Sequence, residues 1–298
     1  MQYHNPVLLQ DCIDGLNIKP DGVYVDVTFG GGGHSREILK HLTTGKLIAF
    51  DQDADAIENK PDNANLILIN QNFRYLKNYL RLHQITQIDG LLADLGVSSH
   101  QFDVAERGFS IRFDADLDMR MNKNATLTAK QILNTYEEAK LVILFKEYGE
   151  VINAKFLVKL ICEYRSQQSI NTVDQFKQLI KRATPRQKEN QFLAQVFQAL
   201  RIEVNDELQV LKEMLEQAVD LLKPSGRLVV MSYHSLEDKL VKNYIKQGKF
   251  FGEAEKDFFG NVTVPLKQIT RKPIVPADVE VLTNSRARSA KLRIAEKI

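Results

Sequence analysis

Val23-Tyr24-Val25-Asp26-Val27-Thr28-Phe29-Gly30-Gly31-Gly32-Gly33-His34-Ser35 is the stretch on which the fold turns. Its first five residues are rich in β-branched side chains and read as a strand. Four glycines follow at once, and Ser35 to Leu42 then carries a helical pattern. A strand, a glycine loop and a helix in that order place a ligand at the carboxyl end of the strand, against free backbone N–H groups. Without Cβ atoms in the loop, the ligand can lie on the backbone itself. The dinucleotide fingerprint GxGxxG fails here, because its third glycine position falls on Ser35 or Arg36. No GK[ST] triplet follows either, which excludes a P-loop.

Outward from this unit the chain alternates. Lys46 to Phe50, Leu66 to Ile69 and Ile88 to Ala93 read as further strands, with a helical candidate from Arg74 to Leu82. Alternating strands and helices predict an α/β fold with a parallel sheet and right-handed crossovers. From about Leu127 to Leu222 the periodicity is helical throughout, with Thr135 and Glu138 placed as a capping box for one helix. Pro224-Ser225-Gly226 reads as a helix stop, and Arg227 to Met231 as a fifth strand. Val262-Thr263-Val264 and Lys291-Leu292-Arg293-Ile294 are later strand candidates. The gap between the fourth and fifth strands far exceeds a crossover. The expected organisation is therefore a Rossmann-like sheet domain from 1–102 and 206–298, with an inserted helical domain, 103–205, for substrate recognition. The helix ending near Leu222 is its expected crossover.

Two acids close strands beside the glycine loop. Asp51 ends the second strand, where a carboxylate suits ribose hydroxyls; capping the following segment is its other reading. A strand-end acid without a pyrophosphate signature fits an adenosine ligand lacking a diphosphate, and S-adenosylmethionine is such a ligand. Asp94 ends the fourth strand in Asp94-Leu95-Gly96-Val97-Ser98-Ser99. An exocyclic amine attacking a sulfonium methyl needs a hydrogen-bond acceptor on its N–H. Asp94 or a neighbouring carbonyl fits that role, and cofactor binding or a turn cap remains open beside it.

Composition sets the class. Apolar residues make up 44% and charged residues 26% of 298, as in ordinary globular proteins. No apolar run is long enough to span a bilayer, and the first residues lack a signal-peptide pattern, so a cytoplasmic protein without membrane contact is expected. Cys12 and Cys162 have no metal-site spacing, and no metal is expected. Residues 1–102 carry a net charge of −4 and residues 223–298 of +7. A basic C-terminal third suits a polyanion, though a solvated lysine-rich face has the same composition.

Longer blocks sharpen this reading. Asp26 to Ser35, Asp94 to Ser99 with Gln101, Glu106-Arg107-Gly108-Phe109-Ser110, Leu117-Asp118-Met119-Arg120-Met121, Phe197 to Ile202 with Val204-Asn205, His234-Ser235-Leu236-Glu237-Asp238 and Arg286 to Arg293 run through nearly the whole chain in order. Together with His4 to Leu9 they resemble the bacterial 16S ribosomal RNA cytosine-N4 methyltransferases, the RsmH or MraW family. The resemblance implies a class I methyltransferase fold with an inserted helical domain. It implies N4 methylation of a cytidine in the decoding region of 16S ribosomal RNA within the small subunit. It implies cofactor contacts at Gly32, Gly33, His34, Asp51, Phe73, Asp94 and Gln101. One departure stands out: the family's His-Pro-Ala-x-Arg stretch before Phe197 is replaced by Gln191-Phe192-Leu193-Ala194-Gln195.

Further residues are candidates for RNA contact. His234 follows the fifth strand, where it either meets RNA or precedes a helix start at Ser235. Phe109 and Tyr233 are candidate stacking partners for an extruded cytosine, or packing residues. Arg201 and Asn205, four apart, share a helix face that either lines a cleft or meets solvent. Arg286 and Arg288, with Lys291 and Arg293, either follow a phosphate backbone or decorate a sheet edge. A DNA amino-methyltransferase is disfavoured, because Leu95-Gly96-Val97 departs from the Pro-Pro-aromatic motif of those enzymes. A non-catalytic assembly factor is disfavoured by the intact glycine loop, and a nicotinamide enzyme by the missing third glycine.

Overall fold

The computed structural model describes residues 6–254, 258 and 264–298. They form two compact units, Met1–Gly96 with Leu208–Ile298, and Val97–Glu207.

The first unit is built on seven strands: β1 (Val23–Asp26), β2 (Lys46–Phe50), β3 (Leu66–Ile69), β4 (Ile88–Asp94), β5 (Leu222–Ser232), β6 (Leu266–Gln268) and β7 (Lys291–Lys297). Their order is β3-β2-β1-β4-β5-β7-β6. The pairs from β3 through β5 are parallel, and β7 runs antiparallel to both β5 and β6. The chain leaves β1 toward β2 and β3, then returns to pair β4 on the other side of β1. That reversal is the switch point of a doubly wound, Rossmann-like sheet, and it opens a crevice beyond the carboxyl ends of β1 and β4.

Twelve helices are described: α1 (Leu9–Leu16), α2 (Gly33–His41), α3 (Leu76–Leu82), α4 (Ser99–Asp103), α5 (Ala129–Thr135), α6 (Glu138–Glu147), α7 (Ala154–Arg165), α8 (Val173–Ile180), α9 (Glu189–Asn205), α10 (Glu207–Leu221), α11 (Ser235–Gln247) and α12 (Asp278–Thr283). Alternate strand residues go to opposite faces of the sheet. Val25, Ile48, Phe50, Leu91, Leu228 and Val230 pack with Leu76 and Leu80 of α3 and Leu211, Met214 and Leu215 of α10. Tyr24, Leu47, Ala49, Leu92 and Met231 pack with Cys12 and Ile13 of α1 and Ile38 of α2. Both faces are covered, so these strands read as apolar runs without alternation. Burial of each large aliphatic side chain contributes about 1.5–3 kcal/mol.

Several expectations are corrected. Pro224-Ser225-Gly226 does not separate helix from strand: α10 ends at Leu221 and β5 begins at Leu222. The tripeptide lies in an excursion inside the strand, between the pairs Ile88↔Leu222 and Gly90↔Arg227. Ser225 takes φ 66° there, and Lys223 reaches Asp89 at 2.7 Å. Thr135 and Glu138 form no capping box; Thr135 ends α5 and its hydroxyl donates to the Gln131 carbonyl, 2.7 Å away. The boxes present are Ser98/Gln101, Thr128/Gln131, Thr172/Gln175 and His234/Glu237. Val262 and Thr263 lie outside the described residues.

The helical unit has its own core, in which Leu133, Phe145, Leu157, Phe176, Val196 and Leu200 are buried. Phe176 and Phe197 meet with ring centroids 5.9 Å apart. The unit begins at Val97 rather than 103, because Val97 and Phe102 pack on this core and α4 comes with them. It ends at Glu207 rather than 205: Arg201 binds Glu207 with two nitrogens at 2.8 and 2.9 Å, spanning the left-handed Asp206.

Candidate active site

Three strands of the sheet unit end in acids at the switch point. Asp26 closes β1 and is buried. Its carboxylate accepts from the Ser35 hydroxyl at 2.7 Å and from the Thr28 N–H at 3.0 Å. Thr28 in turn accepts the Asp94 N–H at 2.7 Å, which joins the ends of β1 and β4. Asp51 follows β2 and clasps the glycine loop: one oxygen accepts from Gly30 N–H at 2.7 Å, the other from Asp53 N–H at 2.9 Å. Each oxygen keeps a second lone pair.

Asp94 closes β4. Its Oδ1 accepts from the Tyr233 hydroxyl at 2.8 Å. Its Oδ2 lies 3.7 Å from His34 Nδ1, within ion-pair range when the imidazole is protonated. The other ring nitrogen, Nε2, lies 3.1 Å from the Val7 carbonyl, which holds the ring in place. Gly96 takes φ 100°, and a Cβ there would meet the Tyr233 ring at 3.3 Å. The loop after β4 therefore needs glycine on two counts, conformation and room for the tyrosine.

Burial pushes Asp51 and Asp94 each up to about 6, against the hydrogen bonds that favour their charged forms. Burial also raises Asp26. The Asp26 charge adds to the rise at both other acids. Tyr233 is pushed far above an ordinary phenol by burial and then by Asp94, so it remains a donor. A crevice with three crowded carboxyls is electrostatically matched to a cationic ligand. Above the loop there is space: a Cβ on Gly30 would meet only the Thr28 carbonyl, at 3.9 Å.

Residues 1–298 match a single family description. The chain belongs to the MraW methylase family. It is 58% identical over 299 residues to a protein of Flavobacterium johnsoniae named ribosomal RNA small subunit methyltransferase H, covering 100% of this chain and 99% of that one. It is 57% identical over 297 residues to a protein of the same name from Cytophaga hutchinsonii, covering 99% of each. Membership makes the chain an S-adenosylmethionine-dependent methyltransferase.

The sheet unit of this methylase gathers Gly32, Gly33, His34, Asp51 and Asp94 at the switch point. Phe73 is half-buried in the turn after β3, and Asn72 beside it donates to Gln52 at 2.9 Å, tying that turn to the loop after β2. Gln101 belongs to the helical unit, where it is buried and its Oε1 accepts the Ser98 N–H at 3.1 Å in the box that starts α4.

The RNA-contact candidates fare differently. Phe109 is buried in the helical core, with the Arg107 guanidinium 5.9 Å from its ring. Asn205 is engaged on every side, donating to the Met119 and Arg201 carbonyls at 2.8 and 2.9 Å and accepting from Met121 N–H at 2.8 Å. Arg201 is committed to Glu207. His234 is the N-cap of α11, its side chain set against Glu237. Arg293 makes a paired contact to Asp238 at 2.7 and 3.1 Å, with Lys291 at 3.8 Å. Arg286 is half-buried, and Arg288 is exposed. The residues that sequence reading missed are Asp26 and Thr28. The signal for Asp26 was present, since an acid at the end of the strand feeding the glycine loop is placed as Asp51 and Asp94 are; nothing in the pattern marked Thr28.

Proposed function

We propose that this methylase transfers the methyl group of S-adenosylmethionine to the N4 amino group of a cytidine in the decoding region of 16S ribosomal RNA, acting on the small subunit in the cytoplasm. The observation that carries the chemistry is the Asp94 carboxylate, fixed at the end of β4 by Tyr233 and by Thr28. The names of the relatives support ribosomal RNA of the small subunit as the substrate. No helix among the described residues is long and apolar enough to cross a membrane.

The residues present fit the cofactor. The open space over Gly30 would take its backbone-hugging part, and the spare lone pairs of Asp51 its ribose hydroxyls; Gly32 and Gly33, whose Cβ positions are filled by Phe29 and Pro6, would flank it with backbone only. Phe73 offers an apolar face beyond β3. The crowded acids match its positive charge. When bound, S-adenosylmethionine supplies an electrophilic methyl group on a sulfonium.

Asp94 does the rest from this chain. As a carboxylate it accepts a hydrogen bond from the N4 amine and holds the nitrogen lone pair toward the methyl group. Tyr233 keeps the carboxylate oriented, and His34 sits across from its second oxygen. Arg286 and Arg288 lie on the basic C-terminal segment and are candidates for phosphate contact.

The test is incubation with labelled S-adenosylmethionine and small subunits from a strain lacking the modification, followed by mass mapping of the nucleotide. Label on a single cytidine with a mass gain at N4 is expected. Label on another base, or on protein, would overturn the assignment.

A further inference from the structure

The helical unit carries a short segment dense in positive charge. Lys181-Arg182-Ala183-Thr184-Pro185-Arg186-Gln187-Lys188 joins α8 to α9. Its four cations are all exposed, and none has an acidic partner within ion-pair range among the described residues. Several other cations of this unit are engaged within it: Arg120 binds Asp118, Lys140 binds Glu203, and Arg165 donates to the Leu133 carbonyl. The loop is also built rather than slack. Asn153 donates to the Ala183 carbonyl at 2.8 Å and fastens the loop to the start of α7. The Thr184 hydroxyl donates to the Ile180 carbonyl at 3.0 Å, and Lys188 N–H closes a turn on Pro185. Ala183 is buried beneath it. Phe156, in the first turn of α7, is 40% exposed.

We propose that this loop is a phosphate-binding surface that grips the ribosomal RNA backbone, an inference that rests on the RNA substrate proposed above. Four like charges in eight residues repel one another in the free protein, and a polyanion relieves that repulsion. A surface already pinned in shape loses little conformational freedom on binding. Closely spaced phosphates suit a cluster of one sign better than an acidic protein patch with scattered charges, and an exposed aromatic ring nearby adds a face for a base. The loop directly precedes the stretch where this chain departs from the family's His-Pro-Ala-x-Arg pattern, and it returns positive charge to the same part of the sequence. The C-terminal third, by contrast, binds part of its basic excess internally, through Lys223 to Asp89, Arg227 to Glu296 and Arg293 to Asp238.

The experiment uses the full chain with Lys181→Gln, Arg182→Gln, Arg186→Gln and Lys188→Gln together, all exposed positions. Binding to small subunits lacking the modification, and to deproteinised 16S ribosomal RNA, is measured from low to moderate salt. Loss of four phosphate contacts should flatten the log–log salt slope by roughly 3 and weaken binding about 10- to 100-fold at low salt. S-adenosylmethionine affinity and thermal stability should be unchanged. A charge-keeping variant with Lys and Arg exchanged should restore the slope. An unchanged slope in the Gln variant overturns the inference while leaving the substrate reading intact. A loss on intact subunits without a loss on naked RNA assigns the loop to a ribosomal protein and also overturns it. Failure of the unaltered protein to bind either target would overturn the RNA reading itself.

Discussion

The two units use polar residues in opposite ways. In the sheet unit, acids at the ends of β1, β2 and β4 are held by backbone N–H and hydroxyl donors yet keep acceptor capacity at the crevice. In the helical unit, the polar residues that stand out in sequence are consumed inside the unit: Asn205 on three backbone groups, Arg201 on Glu207, Gln101 on its own helix start. The difference is topological. A parallel sheet must present its strand ends to the switch point, so an acid there is delivered to a ligand site by the fold. A helix face carries no such guarantee. Spacing of four residues tells which side chains are neighbours, but not whether a loop or a ligand covers them.

Substitutions can break or sharpen that contrast. The largest effect is expected at Asp94→Asn, which keeps the shape but removes the charge that draws on the amine. Turnover should fall about 10²- to 10⁴-fold, with S-adenosylmethionine affinity changed less than roughly tenfold. Steady-state kinetics beside calorimetry separates the two, and equal losses would make Asp94 a cofactor ligand only. In the helical unit, Asn205→Ala leaves the Met121 N–H and two carbonyls without their partner. It should cost about 2–3 kcal/mol of stability in denaturant unfolding and leave turnover of the folded enzyme near normal. Lost turnover at full stability would place Asn205 with the strand-end acids instead.

A smaller effect is expected at Asp51→Ala, which removes the ribose acceptor and should weaken S-adenosylmethionine binding by about 1–3 kcal/mol by calorimetry. The smallest and most diagnostic concerns pH. With Asp51 and Asp94 near 6 in the folded protein, against an ordinary carboxyl value near 4, the folded state holds more protons than the unfolded chain between those values. Their contribution to stability therefore falls as pH rises through that window. A cationic cofactor favours the ionised acids, so its affinity should rise with pH through about 6 and level off above it. Tyr233→Phe removes the donor that favours Asp94 ionisation. The acid limb of the activity profile should move to higher pH, with turnover at neutral pH down roughly two- to tenfold. An unmoved limb would show that Tyr233 only fills space beside Gly96.

Much of the sheet was legible because its signals are local. Runs such as Leu66 to Ile69 and Lys46 to Phe50 match β3 and β2 to the residue, since strands covered on both faces are apolar throughout. The glycine loop and the two strand-end acids follow from the same pattern. The excursion at 223–226 was hidden because proline and glycine mark a chain reversal without saying whether the strand resumes on the same track. The helical unit's start was misplaced because Val97 and Phe102 have no periodic partners nearby; what claims them is a core assembled from α5 to α9. The burial of Phe109 was hidden for the same reason, since membership of that core is a tertiary fact.

The register Ile88↔Leu222 has a consequence for the chain as it is made. The ribosome releases β1 to β4 long before β5, and in that interval β4 presents the apolar edge Ile88 to Asp94 with no neighbour on its far side. The helical unit is one unbroken segment with a core of its own and can close on local contacts while the edge waits. Folding of this unit before β5 emerges would shorten the effective loop that β5 must later span and limit the time an open strand edge is available to other nascent chains.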